Sequence, residues 1–432
     1  MSWEASSFLQ SSVMKILQTY RVSFGRVVWL FACLFVWGCL SLSVVGMWGA
    51  GRALLADEVK ITIETKTDRV EVESSKDAKP PFTGQRPAVD VSILLDTSNS
   101  MDGLINQARS QLWNIVQEFA EAKKSGKTPL LRVSIFEYGN SRLPASEDYL
   151  RQVVPLTDDL DKVSEALFAL RTSGGDEYCG SVITEAIKRL DWSHEPNAYK
   201  AIFIAGNEPF DQGPVDFREA CKRAIGDGVV VNTIHCGNYN QGVRGKWQEG
   251  AKLAEGKFLN INQDEKVVRL KSPHDKIIIE LNAKLNKTYL WYGSKVDRLK
   301  YANNQKVQDS NAGRGLSSRA AIKSSALYRN VGRDLVDTYE EDPSILERLD
   351  EEELPAELKG LSAEERVERI EDMLKERARI KAKLAEVSKE RAEFVAQRMK
   401  EMPMSRDSVT LGDAFSDAIG QQLQASGFEV AK

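Results

Sequence analysis

The chain has few cysteines, histidines and prolines: 5, 3 and 13 in 432 residues. Cys33 and Cys39 lie in an apolar leader, which leaves Cys179, Cys221 and Cys236 for the folded part. An odd set of that kind makes no disulfide framework, and the spacing fits no zinc pattern. The three read as buried free thiols, with oxidation of one pair as the alternative. His194 follows LDW in a turn, His235 lies in an apolar strand and His274 in an SPHD turn, and no nucleophile motif surrounds any of them. A phosphate loop of the G-x-x-x-x-G-K-[ST] kind is absent, and the glycines of GDG and GNYNQG mark turns. No carboxylate pair stands out among the many surface acids as a glycosidase pair. The formal net charge of −4 supplies no basic field for nucleic acid. What remains is a non-enzymatic, protein-binding chain.

With 42% hydrophobic and 28% charged residues, the chain can bury one large core and carry accessories. Residues 27–50 run without a charge and are long enough to cross a hydrocarbon core as a helix. Lys15, Arg21 and Arg26 precede them, and Asp57 and Glu58 follow Arg52, so the charge order puts the rest of the chain outside the cytoplasm. ALLA at residues 53–56 offers a cleavage pattern, while the length of the run suits a retained single-pass anchor. Both readings stand for residues 1–56; a lipid anchor at Cys39 is a weaker third, because Trp37 occupies a position that calls for a small residue. Residues 57–85 read as short strands and a Pro-rich linker.

A core domain is expected over residues 86–265. VDVSILLD is a β-branched apolar run of the kind buried on both faces of a parallel sheet, and it ends abruptly on Asp96. Asp96, Ser98 and Ser100 alternate along the next turn. One carboxylate and two hydroxyls are hard oxygen ligands, suited to Mg²⁺, or to Mn²⁺ or Ca²⁺, rather than Zn²⁺; Asp96 and Ser98 as plain helix caps are the alternative. Residues 104–122 carry a helical apolar face. Apolar runs at 131–139, 150–157, 198–207, 228–238 and 257–261 alternate with helical stretches, and Pro155 marks an edge strand. Such alternation demands an α/β fold: a Rossmann-like domain with a central, mostly parallel sheet flanked by helices and ligands beyond the strands' carboxyl ends.

A buried strand closed by D-x-S-x-S resembles the metal-ion-dependent adhesion site of the von Willebrand factor type A (VWA) domain family. The resemblance implies a second loop with a Thr or acidic ligand, matched within residues 172–181 by Asp176 or Glu177; Asp176 also serves as a helix cap. In the third loop, relatives of this kind carry Thr-Asp-Gly-x-Pro where this chain has IAGNEPF, so Gly206 takes the Asp position. Glu208 turning inward, Asn207 offering a neutral oxygen, or a ligand simply lost are the three outcomes. An intact site implies a protein partner whose carboxylate completes the ion's coordination. The alternatives are an accessory or structural subunit of an envelope assembly with a degenerate metal site, and a subunit that recruits a hydrolase or chaperone.

Beyond the core, residues 266–340 read as an extension packed on it, with one strand and a helical turn in DKIIIELNAKLNKTYLWYG. Residues 341–361 read as an acidic linker. Residues 362–400 read as one long charged helix opened by a Ser362/Glu365 capping box, its thin apolar stripe suited to one partner surface or a coiled coil. Residues 401–432 end in a short amphipathic helix. Through LNKTY, SSALY and the Glu-Leu-Pro segment this part resembles exported bacterial VWA-containing proteins of unestablished role.

Overall fold

Strand β1 (Ala88–Asp96) is buried along its whole length, because its alternate residues serve two cores. Val91, Ile93 and Leu95 enter one and Leu94 the other. The computed structural model describes residues 86–265, 270–401 and 409–430. The leader at 1–56 and the short strands at 57–85 lie outside them. β1 pairs in parallel with β2 (Leu130–Tyr138) and with β4 (Tyr199–Gly206). β5 (Val230–Cys236) and β6 (Phe258–Ile261) extend the sheet in parallel, and β3 (Arg151–Thr157) closes the other edge antiparallel, with Pro155 exposed on it. The order is β3-β2-β1-β4-β5-β6. Both directions of winding start at β1, so the loops after β1 and β4 flank a crevice at the strands' carboxyl ends.

Helices α1 (Asp102–Ala120) and α2 (Leu160–Ala169) cover one face of the sheet. Helices α3 (Cys179–Arg189), α4 (Phe217–Gly226) and α6 (Trp247–Leu253) cover the other, with the short α5 (Tyr239–Arg244) leading into α6. Residues 275–286, expected partly as a strand, form helix α7 (Asp275–Asn286). Its buried positions Ile278, Asn282 and Leu285 recur at helical spacing, and Ile277 and Ile279 face solvent. Helical burial therefore overrides the β-branched run. Helices α8 (Lys295–Ala312), α9 (Leu316–Ser324), α10 (Leu335–Glu341) and α11 (Ile345–Arg348) complete the extension. The stretch 341–361 folds back: Ile345, Leu354 and Leu358 are buried in a small core with Leu290, Leu335 and Ile370.

Helix α12 (Ala363–Lys400) starts on the Ser362/Glu365 capping box and packs against α7, α9 and α10 of its own chain. Its buried face, Ile370, Arg377, Ile380, Leu384 and Val387, is thereby covered without a second helix of its kind. This corrects the coiled-coil expectation: the surface that the stripe needs is supplied by this chain's own extension. The membrane-spanning assignment is likewise not retained. It fell on the leader, outside the described residues, and among those described no helix is long and apolar enough to cross a membrane.

Helix α13 (Leu411–Ala425) returns to the sheet and packs beside α1. Phe415 stacks on Phe203 of β4 with ring centroids 4.1 Å apart. Gln422 exchanges amide hydrogen bonds with Asn232 of β5 at 2.7 and 3.0 Å and accepts one from the Tyr199 hydroxyl at 2.7 Å. The main-chain N–H of Leu411 donates to Gln107 Oε1 of α1, whose Nε2 holds the carbonyls of Asn262 and Gln263 after β6. The sheet's helical layer is thus completed by a segment that the chain delivers only after the whole extension.

Candidate functional site

The carboxyl ends of β1, β2 and β4 meet at Asp96. Its side chain is fully buried, and Oδ1 accepts a 2.7 Å bond from the Ser98 N–H, which closes the turn. The Ser98 and Ser100 hydroxyls lie 3.1 Å apart, and Ser100 donates to Asn207 Oδ1 at 3.4 Å. The second loop brings in Glu177, which is buried, and leaves Asp176 exposed, accepting from the Tyr178 hydroxyl at 3.3 Å. Thr172 of the same loop donates to Asp102 Oδ1 at 2.6 Å. Glu208 sits exposed at the rim, its carboxylate 3.4 Å from Gln212 Nε2 and its carbonyl accepting from the Trp247 indole. Asp96, Ser98, Ser100, Asn207 and Glu177 are therefore gathered at one place, with Glu208 beside them and Asp176 turned away.

Gly139 shows how close the two buried acids come. A Cβ there would fall 2.9 Å from Asp96 Oδ1 and 2.7 Å from Glu177 Cγ, and its φ of +74° suits glycine. Asp96 Oδ2 and Glu177 Oε2 have no hydrogen-bond partner among the described residues. Burial pushes Asp96 up to about 7, with the Ser98 N–H pulling back and the Glu208 charge adding to the rise. Burial, then the charge of Asp96, pushes Glu177 up to about 8. Two carboxyls this close in a dry site cannot both ionise, so the pair keeps a proton near neutral pH.

Tyr138 is the member that sequence reasoning missed. The parallel register sets it opposite Asp96, and its hydroxyl donates to the Ala205 carbonyl at 3.0 Å. A Cβ on Gly206 would stand 2.5 Å from that hydroxyl and 3.1 Å from Asp96 Oδ2. The position where a third-loop carboxylate would begin is filled by a phenol. Cys179 adds its thiol at 3.8 Å from the same hydroxyl, fully buried, and burial pushes that thiol well above its ordinary range. The tyrosine at the end of FEYG was the available signal, legible only once β1 and β2 are known to pair.

These residues do not fit the expected Mg²⁺, Mn²⁺ or Ca²⁺. Among the described residues no group of three or more His, Cys, Asp or Glu is placed to hold a metal ion. A hard divalent cation needs ionised oxygens. Here the third-loop carboxylate is replaced by the Tyr138 hydroxyl, Asp176 is exposed to solvent, and the serine hydroxyls are engaged with each other and with Asn207. The expected metal ligation by Asp96, Ser98, Ser100, Asp176, Glu177, Asn207 and Glu208 is corrected on these grounds.

Residues 90–251 match the family model of the von Willebrand factor type A domain. No curated protein matches the chain. Among solved structures, the chain is similar to proximal thread matrix protein 1 from the mussel byssus at 15% identity, over 41% of this chain and 43% of that one, with a TM-score of 0.32. It is also similar to the conserved hypothetical protein BatB from Bacteroides thetaiotaomicron at 17% identity, over 40% and 91% of the two chains, with a TM-score of 0.31, and to the VWA domain of SpRpn10 at 16%, over 41% and 89%, with a TM-score of 0.31. The match thus spans less than half of the mussel protein's length. With its sheet order, its strand-end Asp96 and its matched span, the chain carries a von Willebrand factor type A domain.

Proposed function

We propose that this chain is a protein-interaction module with a degenerate metal site, acting as an accessory or structural subunit of an assembly outside the cytoplasm. The observation that carries the reading is the Tyr138 hydroxyl in the place of the third-loop carboxylate, beside a proton-sharing Asp96–Glu177 pair. An exposed rim of Ser100 and Glu208, with Asn207 half-buried beside them, supports hydrogen bonds and charge contacts to a partner surface. The charge order around residues 27–50 supports export. The test is chemical cross-linking of the tagged full chain in its own cells, with recovered partners compared with and without a divalent-ion chelator. The expected result is the same partner set in both, and the same set for Asp96→Asn. Partners lost on chelation would overturn the degenerate site, and recovery of no reproducible partner would overturn the interaction role. Protease accessibility of the intact domain in spheroplasts checks the exported location.

A further inference from the structure

Helix α8 has two faces of different kinds. Gln305, Gln308 and Ala312 are buried against the body, with Gln308 bonded to the Ser164 hydroxyl of α2 at 2.8 Å. On the opposite side Val296 is 74% exposed, Leu299 56% and Val307 50%, three of the eight large apolar side chains exposed among the described residues. Their spacing, with Asn303 between them, makes one stripe along the helix. Lys295 and Lys306 border it on one side and Lys300 on the other, all exposed. Scattered exposed aliphatics are ordinary on a protein surface; a stripe of them between cations is not.

The charges on this helix are unbalanced. Among the described residues Lys295, Arg298, Lys300 and Lys306 make no ion pair with a carboxylate; Arg298 donates to the main-chain carbonyls of Gly293 and Glu352. Of the helix's own two acids, only Asp309 is paired with cations, Arg319 and Lys323. Asp297 accepts from the Ser294 hydroxyl, and Asp309 is held by Arg319, Asn282 and Asn286. The excess of cations on the outer face therefore lies along Lys300 and Lys306, whereas Lys295 and Arg298 share their end of the helix with Glu352, Glu353 and Glu357. At its amino-terminal end the stripe opens into a hollow of about 200 Å³ lined by Trp291, Leu299, Pro355, Lys295, Arg298 and Glu357. Trp291 stacks on Tyr289 with centroids 5.4 Å apart, which fixes an aromatic wall. A flat membrane surface has no use for such a hollow, whereas a partner's apolar side chain fills it.

We propose that the outer face of α8 and the Trp291 hollow dock an acidic, amphipathic helical segment of a partner protein. Its apolar residues lie along Val296, Leu299 and Val307, with one seated in the hollow, and its carboxylates meet Lys295, Lys300, Lys306 and the free side of Arg298. This surface is separate from the Asp96 rim and does not depend on how that rim is used.

A random peptide library selected on the immobilised full chain tests it, with counter-selection on the double variant Val296→Asp/Leu299→Asp and affinities read by fluorescence anisotropy. All substituted side chains are exposed, and a thermal melt confirms that each variant folds. The expected peptides carry apolar residues at helical spacing among Asp and Glu. They bind the parent about tenfold more tightly than either that variant or Lys295→Glu/Lys300→Glu, and more weakly as salt rises. Peptides without acidic bias, equal binding to the variants, or no enrichment would overturn the proposal. Vesicles of phosphatidylglycerol run alongside: sedimentation with them that both variants abolish, without acidic peptides being selected, would assign the face to lipid and overturn it as well.

Discussion

Two clusters of buried acidic side chains in this protein differ in whether a cation faces them. In the extension every buried acid meets a cation. Arg319 is fully buried, donates to Asp161 at 2.5 and 3.2 Å and to Asp309 at 2.6 Å, and lies 4.6 Å above the Trp113 ring. Arg377 donates to Asp334 and Asp337 at 2.6 Å each and to the hydroxyl and carbonyl of Thr288, with Tyr289 beneath it. Burial alone would raise Asp309, yet Lys323 and Arg319 bring it down to about 2; at Asp334 burial outweighs Arg377 and the carboxyl stays raised. At the strand ends Asp96 and Glu177 are buried with no cation at all, and both are pushed up. The contrast separates two uses of charge: a compensated network locks the extension and α12 to the domain, and at the strand ends an acidic pair stands without a cation.

Breaking the compensated side is expected to have the largest effect. Arg377→Leu leaves Asp334 and Asp337 facing each other without a cation, and should cost about 3–5 kcal/mol of stability in urea or thermal unfolding. A cost below about 1 kcal/mol would mean that the network is not what holds α12.

The plug at the other region comes next. Gly206→Ala forces a methyl against the Tyr138 hydroxyl and should destabilise by about 1–3 kcal/mol. Tyr138→Phe removes the oxygen it collides with, so the double variant should recover part of that loss. Strict additivity in the double-mutant cycle would show that the two positions do not compete for one space.

The pH response sharpens the comparison further. Asp96 and Glu177 have folded-state values above those of the unfolded chain, so their contribution is fully present below about pH 4 and is lost as pH rises through about 7 to 8. Asp309 is shifted the other way; its contribution is present above about pH 4 and is lost as pH falls through about 2. Melting temperatures from about pH 5 to about pH 9 should therefore fall less steeply in Glu177→Gln than in the parent. Parallel profiles would remove the proton-sharing pair from the account. The smallest expected effect is that of divalent ions: millimolar Mg²⁺ or Mn²⁺ should move the melting temperature by less than about 1 °C, whereas a ligand binding only the folded state would raise it.

How much of this was legible follows from the range of each interaction. The sheet could be read because strands buried on both faces must be continuously apolar and end sharply, as VDVSILLD does at Asp96. The first site loop was legible because Asp96, Ser98 and Ser100 are local. The second was not resolved: Asp176 and Glu177 are adjacent, and only the loop's path decides that Glu177 turns in. DKIIIE misled because three β-branched residues look like a strand until the surface that buries only Ile278 is known.

By itself the sequence determined the β/α alternation, the position of the strand end that anchors the site, the glycine in place of an acid and the capped helix that begins at Ala363, since each depends on neighbours within a few residues. Tertiary structure alone decided the rest. The β1–β2 register put Tyr138 where a carboxylate would begin. The return of the chain after the extension put α13, with Phe415 and Gln422, on the sheet. The fold also chose which buried acids meet an arginine and which meet only each other. In every such case the partners are far apart along the chain, and a pairing set by packing leaves no periodicity for the sequence to show.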